Sequence, residues 1–349
     1  MPPFHPSPWS RNPHLQTLWG KLFRRLALAP TRLERWDTPD GDFVELVRLA
    51  LADDGRRGAA GERPERRPRL LLLHGLEGGA RSHYAQGLFG EARRRGWGMD
   101  LLLHRSCGEE LNRARRFYHS GETEDVALVV DRLVAEAPEA PLYLAGVSLG
   151  GNVLLKYLGE RGDRVPAAVR AAVAISVPYD LARGARHIQR GFARVYERHF
   201  LQSLTRKVRA KLAVYPDLVP TERLAGVRTL WDFDDVVTGP VHGFEGAADY
   251  YARSSAIRFL AGIRVPTLLL SAVDDPFLPA EVLAEVRGIA RGNRALTVEF
   301  HAHGGHVGFV HGRVPWRAEY YAERRTLEFL EETVNGASGN GASGNGASG

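Results

Sequence analysis

Three short stretches of the chain carry side chains that together could perform nucleophilic catalysis. The first is GVSLG at 146–150, which fits the pattern G-x-S-x-G that places a serine on a tight turn between a strand and a helix. The second is DDPF at 274–277, and the third is HAHGGHVGF at 301–309. A histidine can take the proton of a serine hydroxyl, and an aspartate can hold the imidazole in the tautomer that this requires. In chain order, the candidate residues are Ser148, Asp275 and His306.

The serine stretch lies in the setting that a nucleophile turn requires. The apolar run LYLAGVS at 142–148 predicts a buried strand, and residues 149–161 predict a helix directly after it. Small residues around Ser148 relieve crowding at a strained turn, and the start of a helix favours developing negative charge. Because the five-residue pattern alone is common, a glycine-rich turn with an incidental serine is the alternative.

A second glycine-rich loop, HGLEGG at 74–79, follows the predicted strand at 69–74. In serine hydrolases with this kind of turn, such a loop supplies one backbone N–H of the oxyanion hole, and the residue after the nucleophile supplies the other. We therefore expect Leu76 and Leu149 to be the donors. The alternative, a phosphate-binding turn, lacks both the G-x-G-x-x-G and the P-loop patterns. His74 is expected to be a structural hydrogen-bonding residue.

The two aspartates end the predicted strand at 266–273, and either carboxylate could accept the N–H of a histidine. The other would then cap the helix that follows. His306 follows the last predicted strand and lies 31 residues after Asp275, which leaves room for one helix and one strand. The order nucleophile, acid, histidine is that of enzymes with a G-x-S-x-G turn.

The three histidines of the last stretch also suggest a metal site. His301, His303 and His306 match H-x-H-x-x-H, but Gly305 stands where the related zinc motif has an aspartate. A zinc site needs three or four well-placed ligands, and His311 is the one further histidine after these three. We therefore expect no metal and no other cofactor, with His306 as the base and its two neighbours as supporting residues.

Buried apolar strands alternate with amphipathic helices along most of the chain. This alternation predicts an α/β fold with a mostly parallel central sheet of about eight strands and helices on both faces. Residues 33–38 and 43–51 flank a Pro-Asp-Gly-Asp turn signal and predict an early hairpin. Helices are predicted at about 82–95, 122–137, 149–161, 280–291 and 316–334.

The predicted organisation has three parts. Residues 1–32 form an N-terminal segment, and residues 33–334 form one catalytic domain. Within that domain, about 181–262 breaks the alternation and predicts a helical cap over the sheet edge. Residues 335–349 are three copies of Asn-Gly-Ala-Ser-Gly, a composition typical of a flexible, disordered coil.

Composition limits the classes of partner and compartment. The chain has 349 residues, 44% of them hydrophobic, with a net charge of +6, but its basic residues are scattered and no nucleic-acid-binding motif is present. We therefore expect no nucleic-acid partner. Cys107 is the single cysteine, and no stretch resembles a signal peptide or a membrane span, which favours the cytoplasm. Residues 18–28 are basic and amphipathic and would either make weak peripheral contact with an anionic membrane or pack on the protein body.

Taken together, these motifs resemble the YheT-like α/β-hydrolases, a group that also contains the eukaryotic abhydrolase-domain esterases and lipases. The resemblance covers about residues 12–310. One departure is Arg105-Ser106-Cys107-Gly108, where family members usually have Arg-Gly-Cys-x-Gly. The stretches that carry the resemblance are NPHLQT (12–17), PDGDFVEL (39–46), HGLEGG (74–79), FYHSGETED (117–125), GVSLGGN (146–152), FDDVVTGPVHGF (233–244), DDPF (274–277) and HGGHVGF (303–309).

The resemblance implies the α/β-hydrolase fold and a catalytic triad of Ser148, Asp275 and His306. It favours Asp275 over Asp274, because the acid of the family precedes Pro-Phe, and it places 233–244 in a cap between the sixth and seventh strands. The expected activity is hydrolysis of small-molecule or lipid-like carboxylic esters. One alternative is another enzymatic activity, acyl transfer to an alcohol or amine. The other is not an enzyme but a non-catalytic lipid carrier built on this scaffold.

Overall fold

The structure is a computed structural model that describes residues 4–50 and 66–339. Its centre is an eight-stranded sheet. The strands are β1 Thr31–Asp37, β2 Phe43–Leu49, β3 Arg69–Leu73, β4 Gly98–Leu103, β5 Leu142–Val147, β6 Val169–Ile175, β7 Thr267–Ala272 and β8 Leu296–His301.

The sheet has the order β1-β2-β4-β3-β5-β6-β7-β8. The hairpin β1–β2 is antiparallel and β2 runs antiparallel to β4, whereas all pairs from β4 to β8 are parallel. In a parallel sheet the carboxyl ends of the strands lie at one edge, and side chains that follow different strands can meet there. The fold predicted from the sequence, a mostly parallel sheet of about eight strands, is confirmed.

Helices follow most strands. In the described residues they are α1 Pro13–Phe23, α2 His83–Arg95, α3 Glu124–Glu136, α4 Leu149–Arg161, α5 Leu181–His187, α6 Ala193–Leu212, α7 Thr221–Gly226, α8 Leu230–Phe233, α9 Gly239–Val241, α10 Ala247–Ser254, α11 Ala280–Arg291 and α12 Tyr321–Gly339. A π-helical turn, Asp234–Thr238, joins α8 to α9. Helices α5 to α10 lie between β6 and β7 and form the cap.

Both faces of the sheet are covered. Successive side chains of a strand point to opposite faces, so the continuous leucine run of β3 contributes to two cores. Leu70 and Leu72 pack in a core with side chains of α2 and α12. Leu71 and Leu73 pack in the other core, with side chains of α3, α4 and α11. This two-sided burial explains why the parallel strands are apolar throughout rather than alternating.

The structure differs from the sequence-based expectation at the last helix. The expected start was 316, but Pro315–Arg317 form a short turn and α12 begins at Tyr321. Before it, a small two-stranded sheet pairs β9 Val310–His311 with β10 Glu319–Tyr320, which the sequence did not predict. The helix continues to Gly339, and the prediction that a coil begins at Asn335 is therefore wrong for residues 335–339. The physical reason is that each residue added to an existing helix gains a hydrogen bond. Residues 340–349 lie outside the described chain.

The N-terminal segment contains a helix and then continues as an irregular chain. Its helix, α1, ends at Phe23, and residues 24–30 have no helical structure, so the amphipathic stretch 18–28 is helical only in its first half. The reason lies at Arg24, which has an extended backbone and whose guanidinium binds Glu323 of α12. Among the described residues, no helix has the length and apolar character needed to cross a bilayer.

Candidate active site

Ser148 stands between β5 and α4 with a strained backbone. Its φ is 54° and its ψ is −119°, a conformation that non-glycine residues rarely adopt. The flanking glycines make the turn possible, since a Cβ on Gly146 would lie 2.5 Å from the carbonyl oxygen of Gly150, and one on Gly150 would lie 2.3 Å from that of Leu73. The Ser148 side chain is half-buried and points to the carboxyl edge of the sheet, where the other candidate residues are found.

The structure brings the three predicted side chains together in one hydrogen-bonded row. His306 Nε2 lies 2.8 Å from Ser148 Oγ, and His306 Nδ1 lies 2.9 Å from Asp275 Oδ2. Because a carboxylate can only accept, Nδ1 carries the hydrogen and Nε2 is left with a lone pair toward the serine hydroxyl. This geometry permits proton transfer from Ser148 Oγ to His306 Nε2.

The histidine is held on several sides. Its ring stacks on Phe277 at a centroid distance of 4.0 Å and is 9% exposed. Its backbone N–H donates to Thr17 Oγ1 of α1 at 3.0 Å. The preceding Gly305 has a φ of +57°, and a Cβ there would lie 2.4 Å from the carbonyl oxygen of Pro13, so only glycine fits between the loop and α1.

The neighbouring acidic and histidine residues pair with one another, away from this row. Asp274 accepts from the Gly305 N–H at 2.9 Å and lies 3.1 Å from His303 Nδ1. Burial raises the pKa of Asp274, against the opposing effect of these hydrogen bonds. His301 Nε2 lies 3.4 Å from Glu299. The three histidines thus have three different partners, and in the part of the chain that the structure describes no group of three or more potential ligands could hold a metal ion.

The loop after β3 exposes one backbone donor beside the serine. The Gly75 N–H donates to the Tyr84 hydroxyl, that of Glu77 to the Tyr118 hydroxyl, and that of Gly78 to the Gly75 carbonyl. The N–H of Gly79 donates to the Ser82 hydroxyl, so among residues 75–79 the N–H of Leu76 is the one without an acceptor. Leu149 is the first residue of α4, and the first N–H groups of a helix have no intrahelical acceptor. Both leucines line the cavity that contains Ser148.

His74, at the start of this loop, is structural. Its Nδ1 lies 2.7 Å from the Gly75 carbonyl oxygen, and its Nε2 accepts from the His104 N–H at 3.1 Å. Both ring nitrogens are therefore occupied. Complete burial lowers the pKa of His74 well below its ordinary value, which keeps the imidazole neutral.

A cavity of about 150 Å³ lies between the sheet edge and the cap, with Ser148 and His306 at one side. Its wall is mostly apolar, and the cap provides most of it. Burial raises the pKa of Asp234, on the π-helical turn, to about 6, although the hydroxyls of Thr238 and Tyr251 donate to its carboxylate. The apolar wall includes Leu76, Leu149, Leu181, Ile188, Phe200, Leu204, Val208, Phe233, Val237 and Phe277.

Comparison with known proteins agrees with this architecture. The sequence profile of the alpha/beta hydrolase fold family matches residues 68–312. The protein described as "Putative esterase YheT" from Escherichia coli is 39% identical over 322 residues, which covers 91% of this chain and 90% of that protein. The chain belongs to the α/β-hydrolase family, in the group of YheT. The resemblance seen in the sequence is thereby confirmed.

Further relatives carry names of lipid-acting enzymes. Monoacylglycerol lipase from Saccharomyces cerevisiae is 31% identical, over 77% of this chain and 61% of that protein. Phospholipase ABHD3 from mouse is 27% identical, over 95% of this chain and 79% of that protein. Among solved structures, the esterase Pf2001 from Pyrococcus furiosus superposes with a TM-score of 0.56 at 14% identity, over 88% of this chain and 91% of that one, which supports the fold.

The departure from the family pattern at Ser106 has a local explanation. Ser106 has a φ of 64°, the left-handed region that a glycine adopts without cost. Its buried hydroxyl donates to Asn112 Oδ1 and accepts from the Asn112 N–H at 3.3 Å. These hydrogen bonds offset the backbone strain, so a serine at this position keeps the loop in the conformation that glycine favours.

Three supporting contacts were not predicted from the sequence. The motif NPHLQT was recognised without a role, yet its Thr17 holds the His306 backbone and its Gln16 exchanges hydrogen bonds with the backbone of Val310. Glu77, in the loop after β3, binds Lys207 of the cap helix α6 at 2.7 Å. A glutamate in a glycine-rich loop is unusual and could have indicated an ion pair. Its partner could not be identified from the sequence, because Lys207 lies 130 residues away along the chain.

Proposed function

We propose that the protein hydrolyses carboxylic esters through a covalent acyl-enzyme formed on Ser148. The observation that carries the proposal is the row Asp275–His306–Ser148, with distances of 2.9 Å and 2.8 Å. The names of its relatives, esterase and monoacylglycerol lipase, agree with this class of substrate. A carboxylic-ester hydrolase of this fold needs no cofactor for the reaction described below.

In the first step Ser148 Oγ attacks the ester carbonyl carbon while His306 Nε2 takes the hydroxyl proton. The carbonyl π electrons move to oxygen, and the tetrahedral intermediate then expels the alcohol, which receives the proton from His306. Water attacks the acyl-enzyme by the same route, and the acid leaves with Ser148 restored. Asp275 stabilises the imidazolium that forms in each step without taking its proton.

The developing oxyanion is stabilised by the N–H groups of Leu76 and Leu149. Each such donor contributes roughly 3–4 kcal/mol of transition-state stabilisation in enzymes of this kind. The dipole of α4, which begins at Leu149, adds to the same effect. The strained backbone of Ser148 directs Oγ toward this position rather than into the helix.

The cavity wall favours an apolar acyl or alcohol group. Because the cap supplies mostly hydrocarbon side chains, burial of each methylene of a substrate there contributes about 0.8 kcal/mol. Monoacylglycerol lipase and phospholipase among the relatives fit substrates with such groups. We therefore propose small or lipid-like esters as the substrate class.

The test is Ser148→Ala, with Ser271→Ala as the matched control. Ser271 is a buried serine of β7 whose hydroxyl lies 3.4 Å from that of Tyr179. We expect Ser148→Ala to lose p-nitrophenyl ester turnover by at least about 10⁴-fold and to lose labelling by a fluorophosphonate probe, because it removes the hydroxyl that forms the acyl-enzyme in this mechanism. The control should keep both. Probe labelling that persists in Ser148→Ala would refute the assignment of the nucleophile.

Acyl transfer to an alcohol is a second candidate, favoured by one structural observation. A wide groove, which adjoins the cap cavity at Leu76, Phe200 and Phe277, also reaches Ser148 and His306 and could admit an acceptor to the acyl-enzyme. A yeast relative, 30% identical over 60% of this chain, is named a medium-chain fatty acid ethyl ester synthase/esterase. Product analysis with added ethanol decides between the two: an ethyl ester supports transfer, and free acid alone supports hydrolysis.

A further inference from the structure

The end of α1, the irregular segment 24–30 and the strand β1 carry a set of exposed apolar side chains. Leu22 is 62% exposed, Phe23 58% and Leu28 63%. Single exposed apolar residues are ordinary, but a contiguous group marks a surface that meets another apolar phase. We call this group the N-terminal patch, and its members are Leu22, Phe23, Leu26, Leu28 and Leu33.

The patch is held in place by the protein body. Gln16 of α1 is fully buried, and Gly20 lies so close to His83 of α2 that a Cβ would meet the ring at 2.5 Å. Arg24 is fixed by its ion pair with Glu323 and by stacking of its guanidinium on Tyr320. The helix therefore uses one side for packing, while Leu22 and Phe23 of its last turn remain exposed.

The patch borders the groove that leads to the catalytic row. Leu26, Leu28 and Leu33 line one part of this groove, whose volume is about 900 Å³. Ser148 and His306 line another part of the same groove. A molecule that leaves an apolar phase at the patch can therefore reach the serine without crossing the protein body.

The charges around the patch are mostly positive. Lys21 and Arg81 line the groove and are exposed, and Arg25 is exposed beside Leu26. Glu109 is the exposed acidic residue of the groove lining, whereas Glu77 is neutralised by Lys207. With a net charge of +6 for the whole chain, this surface complements an anionic one.

We propose that the N-terminal patch docks on an anionic phospholipid surface, with its apolar side chains among the acyl chains and the basic residues at the headgroups. The surface would deliver lipid-like esters along the groove to Ser148, a part of the proposal that rests on the proposed function. A two-fold contact between copies through this patch is disfavoured, since it would bring Lys21 and Arg25 of the two copies together. Apolar insertion combined with basic residues is the chemistry of peripheral membrane binding.

The experiment measures flotation of the full chain with two kinds of vesicle. We expect binding to vesicles of phosphatidylcholine with about a third phosphatidylglycerol, and at least about tenfold weaker binding to phosphatidylcholine alone. Raising NaCl from about 0.05 M to about 0.5 M should weaken the binding, because exposed charges are then screened. Equal failure to bind both vesicles would overturn the proposal.

Matched variants test the patch itself. The double substitution Leu22→Glu and Phe23→Glu should lower vesicle binding by about tenfold or more, because it removes apolar contact and adds negative charge. Leu28→Ser, a milder change, should lower it by about threefold. The control is Val214→Glu, two residues after the end of α6, which is 68% exposed but does not line the groove, and it should bind as the unchanged protein does.

Turnover of a water-soluble short-chain ester separates this proposal from the proposed function. The variant with Leu22→Glu and Phe23→Glu, two residues that do not line the groove, should keep that turnover within about twofold, while its hydrolysis of an ester embedded in vesicles falls with binding. If the patch variants still bind vesicles, the docking surface is refuted. If Ser148→Ala alone then loses turnover of the soluble ester, the esterase proposal remains intact. Concentration-dependent dimerisation that these variants abolish would instead assign the patch to a second copy.

Discussion

Two adjacent aspartates illustrate how single residues differ in role at this site. Asp275 lies 2.9 Å from His306 Nδ1, whereas Asp274 pairs with His303 and the Gly305 N–H. Asp275 therefore contacts the proposed base, and Asp274 fixes the loop that carries it. The side chains are next to each other in sequence, but the strand end directs them to different partners.

The first prediction follows from this difference. Asp275→Asn should lower kcat by about 10³–10⁴-fold, since an amide that donates to Nδ1 favours the wrong imidazole tautomer. Asp274→Asn should lower kcat by less than about tenfold, because the amide oxygen can still accept from Gly305. Steady-state kinetics on a soluble ester measure both. A larger loss in Asp274→Asn would exchange the two roles.

The sequence was informative at this scale because catalytic residues have strict requirements of type, order and position after strands. The elbow glycines and the row of Ser148, Asp275 and His306 could be proposed without a structure. Thr17 could not, because its contact to His306 joins residues 289 positions apart and many side chains can accept from an N–H. At Ser106 the sequence shows only a departure from the family pattern. The hydrogen bonds that offset its backbone strain involve Asn112 and form only in the folded loop.

At the scale of elements, the cap helix α6 is joined to the loop that carries the Leu76 N–H. Glu77, with a φ of 55°, receives Lys207 Nζ at 2.7 Å and the Tyr118 hydroxyl at 2.8 Å. The hydroxyl of Ser203, also on α6, donates to the same carboxylate. Because Glu77 directly follows Leu76, these contacts link the cap helix to the proposed oxyanion donor. We therefore expect Lys207 to act as a positioning residue.

The second prediction concerns this link. Lys207→Met should lower kcat by about tenfold or more with KM changed by less than about threefold, because a displaced donor weakens transition-state binding rather than substrate binding. Lys207→Arg, which keeps the positive charge beside Glu77, should retain much of the rate. The control is Arg206→Met, the exposed neighbouring cation of α6. An unchanged kcat in Lys207→Met, with only a lowered melting temperature, would show that the link is merely structural.

The cap also marks where prediction of elements from sequence ends. Strands and helices of the sheet domain follow hydrophobic periodicity, and α4 and α11 begin and end as expected. The short helices from α7 to α10 depend instead on packing within small apolar clusters of the cap, and the π-helical turn at 234–238 has no periodic signal. The strands β9 and β10 also have no periodic signal, because each has two residues and is defined by its pairing with the other.

For the whole molecule, one buried arginine joins segments that are distant in sequence. Arg105, after β4, makes a bidentate pair with Asp125 of α3 at 2.7 and 2.8 Å. It also binds Asp42 at 2.7 Å and Asp40 at 2.9 Å, both in the turn between β1 and β2. Asp42 is fully buried. Burial opposes ionisation of Asp40, but hydrogen bonds from Thr38 and Arg105 hold its pKa well below the usual range.

Arg105→Met should therefore destabilise the protein by about 3–5 kcal/mol, because it leaves buried carboxylates without their cation. The control is Arg66→Met, which removes an exposed ion pair with Glu139 and should cost less than about 1 kcal/mol. Denaturant unfolding monitored by circular dichroism measures both.

The pH dependence of the same unfolding experiment identifies the cause. Carboxyls whose pKa is lowered by folding contribute stability above their unfolded pKa of about 4, and that stability is lost as the pH falls. The difference in stability between the unchanged protein and Arg105→Met should therefore grow as the pH rises from about 3 to about 6, chiefly through Asp40, whose pKa Arg105 helps to lower. The pKa of Asp42 is lowered mainly by Asn112 and backbone N–H groups, which the substitution leaves in place. If the two proteins differed by a constant amount at every pH, lost packing rather than lost charge would explain the effect, and the ionic link between hairpin, sheet and α3 would be refuted.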